Sequence, residues 1–489
     1  MLPFKNLLVI DKSSDVSIFR QIASQLVLLI QKGTLLPNME LPSTRSLAAD
    51  LGLHRKTVMA AYNDLIAEDW IESEERKGYK VSGLLPIVKP RTYTNHFHSG
   101  YSGQSGFSFN PLEHIPSLPV LSTTSKITVD DGFPETAIFP IEKISKEYKK
   151  LLTHPTLKKI TSTWNIGGSP NFKDALSSFL NDTRGLNIPS DNLLITRGAQ
   201  MAIYIAAALI LKPGDRVLVT DPNYFMADAV FTQLGAELVR VPVDAEGMDI
   251  EAIEDALKNK NIKLLYIIPH HHHPTTVTLS SSRRAKLLEL ITSYQLPVIE
   301  DDYDYDFQYQ YSPYLPLASG DHNGNIIYIG SLTKVLGANF RLGYMIATTD
   351  FLYNALKLKS LIDLRGDAIM EETVASLIQS GEFSRFIKRA NKLYGYRCDY
   401  ASELINNELR NSVTFNKPSG GMALWLKFED KFPLAEVLSK SSSLGLRLAG
   451  SAYYQGKDIK HNAIRFGFAS INEQEIAYAI NIIKKVTLS

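Results

Sequence analysis

Apolar residues recur at helical spacing through SIFRQIASQLVLLIQKG, and Gly33 follows, which predicts an amphipathic helix closed by a left-handed residue. Beyond Pro42, Ser43 is placed as the N-cap of a short helix carrying Leu47 and Leu51, and Gly52 turns the chain into another, HRKTVMAAYNDLIAEDW. Val58, Tyr62, Leu65 and Ile66 share one face of that helix, whereas Arg55, Lys56 and Thr57 crowd its first turn. IESEE and YKVSG then read as two short strands around a Gly-containing turn with Arg76 and Lys77 at its tip. From 84 to 125 the periodicity dissolves into Gly, Ser, Pro and aromatics, the pattern of a linker. Between 126 and 489 the apolar runs NLLIT, DRVLVTD, AELVRVPV, IKLLYIIP, LPVIEDD and NIIYIGS alternate with helical segments, predicting α/β layers on a mainly parallel sheet.

The pattern therefore predicts a multidomain chain: a small α+β winged helix-turn-helix over 1–83, a linker over 84–125 and a large α/β domain over 126–489. A length of 489 residues supports this, because one core rarely organises so long a chain. With 44% hydrophobic residues the composition is that of a folded globular protein, which excludes long-range disorder. The 52 basic and 51 acidic residues exclude wholesale basicity as a route to nucleic acid, so any DNA binding has to come from a local surface. Cys398 is the single cysteine and has no intrachain partner. The apolar run from Met201 to Leu211 is too short for the roughly 20 residues that cross a bilayer. No leader pattern opens the sequence, so the expectation is a cytoplasmic protein without a membrane segment.

A helix-turn-helix sets the first turn of its second helix against base edges, a place that needs donors and small polar groups. Here it offers His54, Arg55, Lys56 and Thr57, while Ser43, Arg45 and Lys77 are placed to hold phosphates. The ten basic and ten acidic residues of 1–83 cancel, which suits a helical protein-interaction module equally well. Gly33, Leu35 to Pro37, Leu41 to Arg45, Leu47 to Ala48 and Arg55 to Val58 together resemble the GntR-type winged helix. That resemblance implies operator DNA as a partner. Asn38 and His54 depart from the Gly and Ser frequent at those places, which bears on base preference and not on the fold.

In the large domain, NIIYIGS runs into LTKVLGANFRLGY, which puts Lys334 just past a strand end, with Ser331 before it and Arg341 after it. A lysine there reaches the crevice at the strand ends. Its amine, with an ordinary pKa of about 10.4, becomes a usable nucleophile when burial and positive neighbours such as Arg341 favour the neutral form. Asp301 ends an apolar strand and can keep a ring nitrogen protonated, with Tyr303 two residues on. A metal site on Asp301, Asp302, Asp304 and Asp306 is the competing reading, though the run lacks a Gly-bearing calcium loop. The strand, glycine and helix of LLITRGAQMAIY aim the amides of Ala199 and Gln200 at an anion, and Tyr224 follows a further strand end, suited to stack on a ring. Consecutive side chains of His270 to His273 diverge, so no metal is expected there.

The ordered set Gly198 to Gln200, Asp221 to Tyr224, Pro269 to Thr275, Asp301 to Tyr303 and Ser331 to Arg341 resembles the fold type I aminotransferases over residues 126–489. The resemblance implies pyridoxal phosphate as cofactor, with Lys334 forming its Schiff base, Asp301 on the pyridine nitrogen and Tyr224 stacked. It also implies Ala199, Gln200, Ser331 and Arg341 on the phosphate and Tyr303 on the ring oxygen. His273 stands where the family carries Asn or Gln beside that oxygen, and Thr276 where it carries Gly. Arg465 falls where such enzymes bind a substrate carboxylate. Both halves together resemble the MocR-type subfamily of GntR regulators. That implies a homodimer that binds DNA and senses a small amino compound or the cofactor itself. An active aminotransferase with a vestigial winged helix is the alternative, and a purely structural cofactor is a third reading.

Overall fold

The computed structural model describes residues 3–74, 78–84, 105, 107–112, 115, 125–162, 165–309, 314–448 and 461–488. Arg76 and Lys77, expected at the tip of the wing, lie outside the described residues. The chain divides into two compact units, Met1–Asn110 and Pro111–Ser489.

The first unit contains α1 (Phe4–Leu7), α2 (Ile18–Gln31), β1 (Glu40–Leu41), α3 (Thr44–Leu51), α4 (Arg55–Ala67), β2 (Ile71–Glu74) and β3 (Gly78–Val81). The apolar faces meet in one core in which Ile22, Leu26, Leu47, Val58 and Tyr62 are fully buried, and the Tyr62 hydroxyl donates to the Pro42 carbonyl at 2.9 Å. Ser43 caps α3, its Oγ accepting from the Ser46 amide at 3.1 Å. Gly33 and Gly52 take the left-handed conformation that ends their helices. β2 and β3 form the antiparallel hairpin of the wing, and β1 joins β3 as a third strand. Two residues offer no alternation to read, so β1 exists only through that pairing.

In the second unit, β4 (Ile127–Val129) lies outside an eight-stranded sheet made of β5 (Leu193–Thr196), β6 (Arg216–Asp221), β7 (Glu237–Asp244), β8 (Gly247–Met248), β9 (Ile262–Ile267), β10 (Val298–Asp302), β11 (Ile326–Ser331) and β12 (Gly343–Ile346). The order across the sheet is β5, β12, β11, β10, β9, β6, β7, β8. The predicted apolar runs supply six of these strands, and β11, β10, β9, β6 and β7 are parallel neighbours. Besides the two-residue β8, β12 is the strand the pattern does not show. It runs antiparallel between β11 and β5, so Gly343 pairs with Ser331 on one side and Thr196 on the other. The start of β12 thus lies at the edge where its neighbours end.

That closure requires glycine. A Cβ on Gly343 would stand 2.6 Å from both the Cα and the carbonyl carbon of Gly198. Beyond β5 the run from Met201 to Leu211 belongs to a largely buried helix, Ala199–Ile210, and no helix among the described residues is long and apolar enough to cross a membrane. The remaining strands pair apart from the main sheet: β13 (Val413–Thr414), β14 (Ala423–Phe428) and β16 (Ala463–Gly467) form one sheet, and β15 (Leu446–Leu448) pairs with β4.

Gly343→Ala is expected to destabilise the second unit by about 1–3 kcal/mol through overpacking against a backbone that cannot rotate away. A thermal-unfolding midpoint equal to that of the unsubstituted protein would contradict the close approach.

Candidate functional site

At the edge where the parallel strands end lies a cavity of about 470 Å³. Its lining includes Ala199, Gln200, Tyr224, His273, Asp301, Tyr303, Ser331, Lys334 and Arg341, nine side chains expected from the sequence, drawn together from loops up to 142 residues apart. The sheet explains the convergence. β5, β6, β9, β10 and β11 deliver their following loops to one edge, and the reversed β12 begins there, bringing Arg341.

Lys334 sits in the single helical turn Thr333–Leu336 after β11. Its ammonium donates to the Gly132 carbonyl at 3.0 Å and stands 4.2 Å from the centre of the Phe133 ring. Burial lowers its pKa from the ordinary lysine value, against the pull of Asp131 and Asp130. The leading positive neighbour in that balance is Arg465, not Arg341 as expected from sequence spacing.

Asp301 is buried on β10. Its Oδ2 accepts from the Tyr266 hydroxyl at 2.7 Å, while Oδ1 is buried without a hydrogen-bond partner among the described residues. Burial, reinforced by Asp302 and Asp304, pushes its carboxyl up to about 7, against the Tyr266 hydrogen bond. A buried carboxyl with an unmatched oxygen is a receptor for a protonated ring nitrogen. The neighbouring acids are committed elsewhere: Asp302 to the Tyr328 hydroxyl at 2.7 Å, Asp304 to His271 at 3.0 Å and Asp306 to Arg184 at 3.0 Å. The four carboxylates diverge to separate partners instead of converging on one ion.

The histidine run is likewise distributed. All four rings are buried; His270 approaches Asp302 at 3.6 Å, His271 pairs with Asp304, and His272 bridges Thr220 and Thr275 at 2.9 and 2.8 Å. Burial, with His273 and Arg465 adding to it, pushes the His272 imidazole down to about 3, so that ring is neutral. His273 alone of the four lines the cavity, edge-on to Tyr224, with its Nε2 3.2 Å from Asp131 Oδ2.

The end of the cavity where an anion is expected is built from backbone. The 12-residue helix starting at Ala199 carries no acid in its first turn, and Gly198 with φ 88° brings its backbone against the Arg341 guanidinium. Arg341 itself is held in the left-handed region at φ 49°, uncommon for a residue with a side chain, and its Nη2 donates to the Arg197 carbonyl at 2.9 Å. Ser331 Oγ accepts from the Thr333 amide at 3.2 Å.

Two expected side chains have other partners. The Tyr303 hydroxyl donates to the His271 carbonyl at 3.0 Å and accepts from Arg465 at 2.9 Å, so its proton is committed within the protein. Arg465 on β16 is 1% exposed and lies behind the cavity wall, donating to the carbonyls of Asp131 at 2.7 Å and Pro274 at 3.1 Å besides Tyr303. Sequence reasoning missed Asp131 and Phe133, which both line the cavity. Burial opposes ionisation of Asp131, yet His273, Arg465 and Lys334 hold its carboxyl down at about 2. The segment DDGFP carries no periodicity, and its only signal is a pair of acids before a glycine.

In the first unit, Arg45, Arg55 and Lys56 are exposed and Thr57 is half-buried. Arg55 Nε lies 3.4 Å from Thr44 Oγ1, and no acid occupies the first turn of α4. Ser43 spends its hydroxyl oxygen on the α3 cap, leaving the hydroxyl proton for another acceptor.

Pyridoxal phosphate, when bound, supplies an aldehyde that combines with primary amines and a ring that takes up electron density. The cavity fits it on its own terms: a half-buried lysine with a lowered pKa, a buried carboxyl with an unmatched oxygen, a tyrosine ring and a helix N-terminus free of acids. Lys334→Ala is expected to remove the visible absorption of the bound cofactor, and persistence of that band would exclude Lys334 as its anchor. In the cofactor-free protein, a folded carboxyl at about 7 binds more protons than the unfolded one at about 3.9. Stability should therefore fall as pH rises from about 4 to about 7. Asp301→Asn should flatten that dependence in urea unfolding measured across the window.

Comparison with known proteins agrees with this geometry. Residues 131–483 match the family model for aminotransferase class I and II, and residues 19–81 that for bacterial regulatory proteins of the gntR family. The chain is 24% identical over 484 residues to the probable rhizopine catabolism regulatory protein MocR of Rhizobium meliloti, covering 99% of this chain and 96% of that one. It is 26% identical to aromatic-amino-acid aminotransferase 1 of Thermococcus litoralis, covering 78% and 92%. Among solved structures, a kynurenine aminotransferase of Pyrococcus horikoshii superposes with a TM-score of 0.70 at 27% identity, covering 74% of this chain and 91% of that one. The chain belongs to the class I and II aminotransferase family and carries a gntR-family winged helix ahead of that domain, the organisation of the MocR-type regulators.

Proposed function

We propose that this chain is a cytoplasmic, dimeric transcription regulator whose winged helix reads operator DNA and whose aminotransferase-like unit senses a small amino compound or pyridoxal phosphate. One observation carries the reading: a gntR-family reader with exposed Arg55 and Lys56 shares its chain with a complete cofactor-shaped cavity. Arg55, Lys56 and Thr57 face base edges, and Ser43, Arg45 and Lys77 hold phosphates. Lys334 anchors the cofactor, Asp301 takes its ring nitrogen, and Tyr224 stacks. Ala199, Gln200, Ser331 and Arg341 hold the phosphate, and His273 faces the ring oxygen. Ligand arrival in that cavity shifts the dimer between arrangements of different operator affinity. The full-length similarity to a protein named as a catabolism regulator supports this order of roles.

A second reading, catalytic transamination, is favoured by the lowered pKa of the Lys334 amine and by relatives named as aminotransferases. Turnover of amino acids with keto acids tests it directly.

The regulator reading predicts a mobility shift of the DNA upstream of the chain's own gene, with a midpoint that moves when pyridoxal phosphate or amines are added. Arg55→Ala should weaken that complex roughly 10- to 100-fold, the loss of about 1–3 kcal/mol that one base contact is worth. Absence of sequence-specific binding under every condition rejects the proposal.

A further inference from the structure

The outer face of α4 changes character along its length. From Arg55 to Asn63 the helix carries no acid; Asp64 opens its last turn and Glu68 follows its end. Within the acid-free stretch Arg55, Lys56, Met59, Ala60 and Asn63 are exposed, while Val58, Ala61 and Tyr62 are buried in the core. A duplex presents a dense line of phosphates, so the acids at 64 and 68 confine its approach to the part of the helix before them.

Met59 interrupts the polar surface of that stretch. It is the one large apolar side chain of α4 that is exposed, at 39%. At about 3.6 residues per turn it stands one turn beyond Arg55 and Lys56, in a direction between theirs. Single exposed apolar residues are ordinary on a protein surface, but this one stands among the groups proposed to read bases. The major groove offers donors and acceptors on every base pair and a single kind of apolar group, the C5-methyl of thymine. An apolar side chain presented there therefore has one complement among the four bases. The unbranched thioether of methionine adapts its shape to such a contact. Ala60 beside it, also exposed, adds no bulk that would hold the helix away from the base edges.

We infer that Met59 is a specificity-determining residue of the DNA reader, packing against the C5-methyl group of a thymine in the major groove. Arg55 and Lys56 read polar base edges, and Met59 adds a requirement for thymine at the position opposite the second turn of α4. The inference rests on the DNA-reading role proposed above and names one element of the sequence that is read.

The test uses the full-length protein and a duplex that it selects from a randomised pool. Each thymine of that duplex is replaced in turn by deoxyuridine, which removes the methyl group and keeps the hydrogen-bonding edge. Binding is followed by fluorescence anisotropy. At least one replacement should weaken binding about fourfold, the worth of burying one methyl group. Met59→Ala should bind the thymine duplex about fourfold more weakly and no longer distinguish it from the deoxyuridine duplex, the two differing by about 1.5-fold or less. No thymine whose methyl group matters, or an undiminished methyl dependence in Met59→Ala, overturns the inference. The scan of the unsubstituted protein decides the first of these even where the variant fails to fold. Either result in a protein that still selects a defined sequence counts against Met59 alone. A protein that selects no sequence from the pool overturns the DNA-reading role and this inference together.

Discussion

One reversed strand organises the large unit. β12 enters the sheet antiparallel between β11 and β5, and its first residue, Gly343, packs against Gly198 where any side chain would collide with backbone. Because it runs against its neighbours, its beginning coincides with their ends. Arg341, Ser331, Lys334 and the helix starting at Ala199 therefore share one edge, and the groups proposed to hold an anion stand beside a lysine without either being near the other in a continuous strand. Arg341 accepts a left-handed backbone at that junction, a local cost borne where the chain has to turn its guanidinium to that edge.

Charge is managed around that edge by separation. The acids of β10 and the loop after it are dispersed, Asp302, Asp304 and Asp306 each paired to its own partner; Asp301, Asp302 and Asp304 each keep one buried oxygen unmatched among the described residues, and of these three Asp301 is the one that lines the cavity. The four histidines perform the complementary task, supplying a separate partner to Asp302, Asp304 and Asp131 while His272 stays neutral between two threonine hydroxyls. A run that looks like a metal cluster in one dimension is a set of independent pairings in three. On the ligand side, Asp131, His273 and Arg465 form one coupled group whose net effect is to keep a negative charge ionised at the wall of the cavity.

The small unit follows simpler physics. Its helices bury Ile22, Leu26, Leu47, Val58 and Tyr62 in a core of their own and leave Arg55 and Lys56 in water at the start of a helix without acidic residues in its first turn. The stripe that folds the helix and the turn proposed to meet DNA occupy different faces. His54 and Arg55 are exposed, so a change at either leaves the core packing in place.

Periodicity alone made the winged helix legible, with its Ser43 cap and its glycine stops, because these depend on neighbours within a turn or two. The same holds for six of the eight strands of the main sheet and for the residues that follow their ends, since parallel strands return functional loops to a common edge. β1 and β12 were not legible: β1 has two residues, and β12, as short as β5, is defined by its pairing with β11 and β5. The tertiary structure alone also decided the partners of Tyr303 and Arg465, and that Asp131 stands with them. Residues 131, 303 and 465 share no local pattern. The sequence determined which groups were available at each strand end, whereas which charges neutralise one another depended on distances of a few ångströms between segments more than a hundred residues apart.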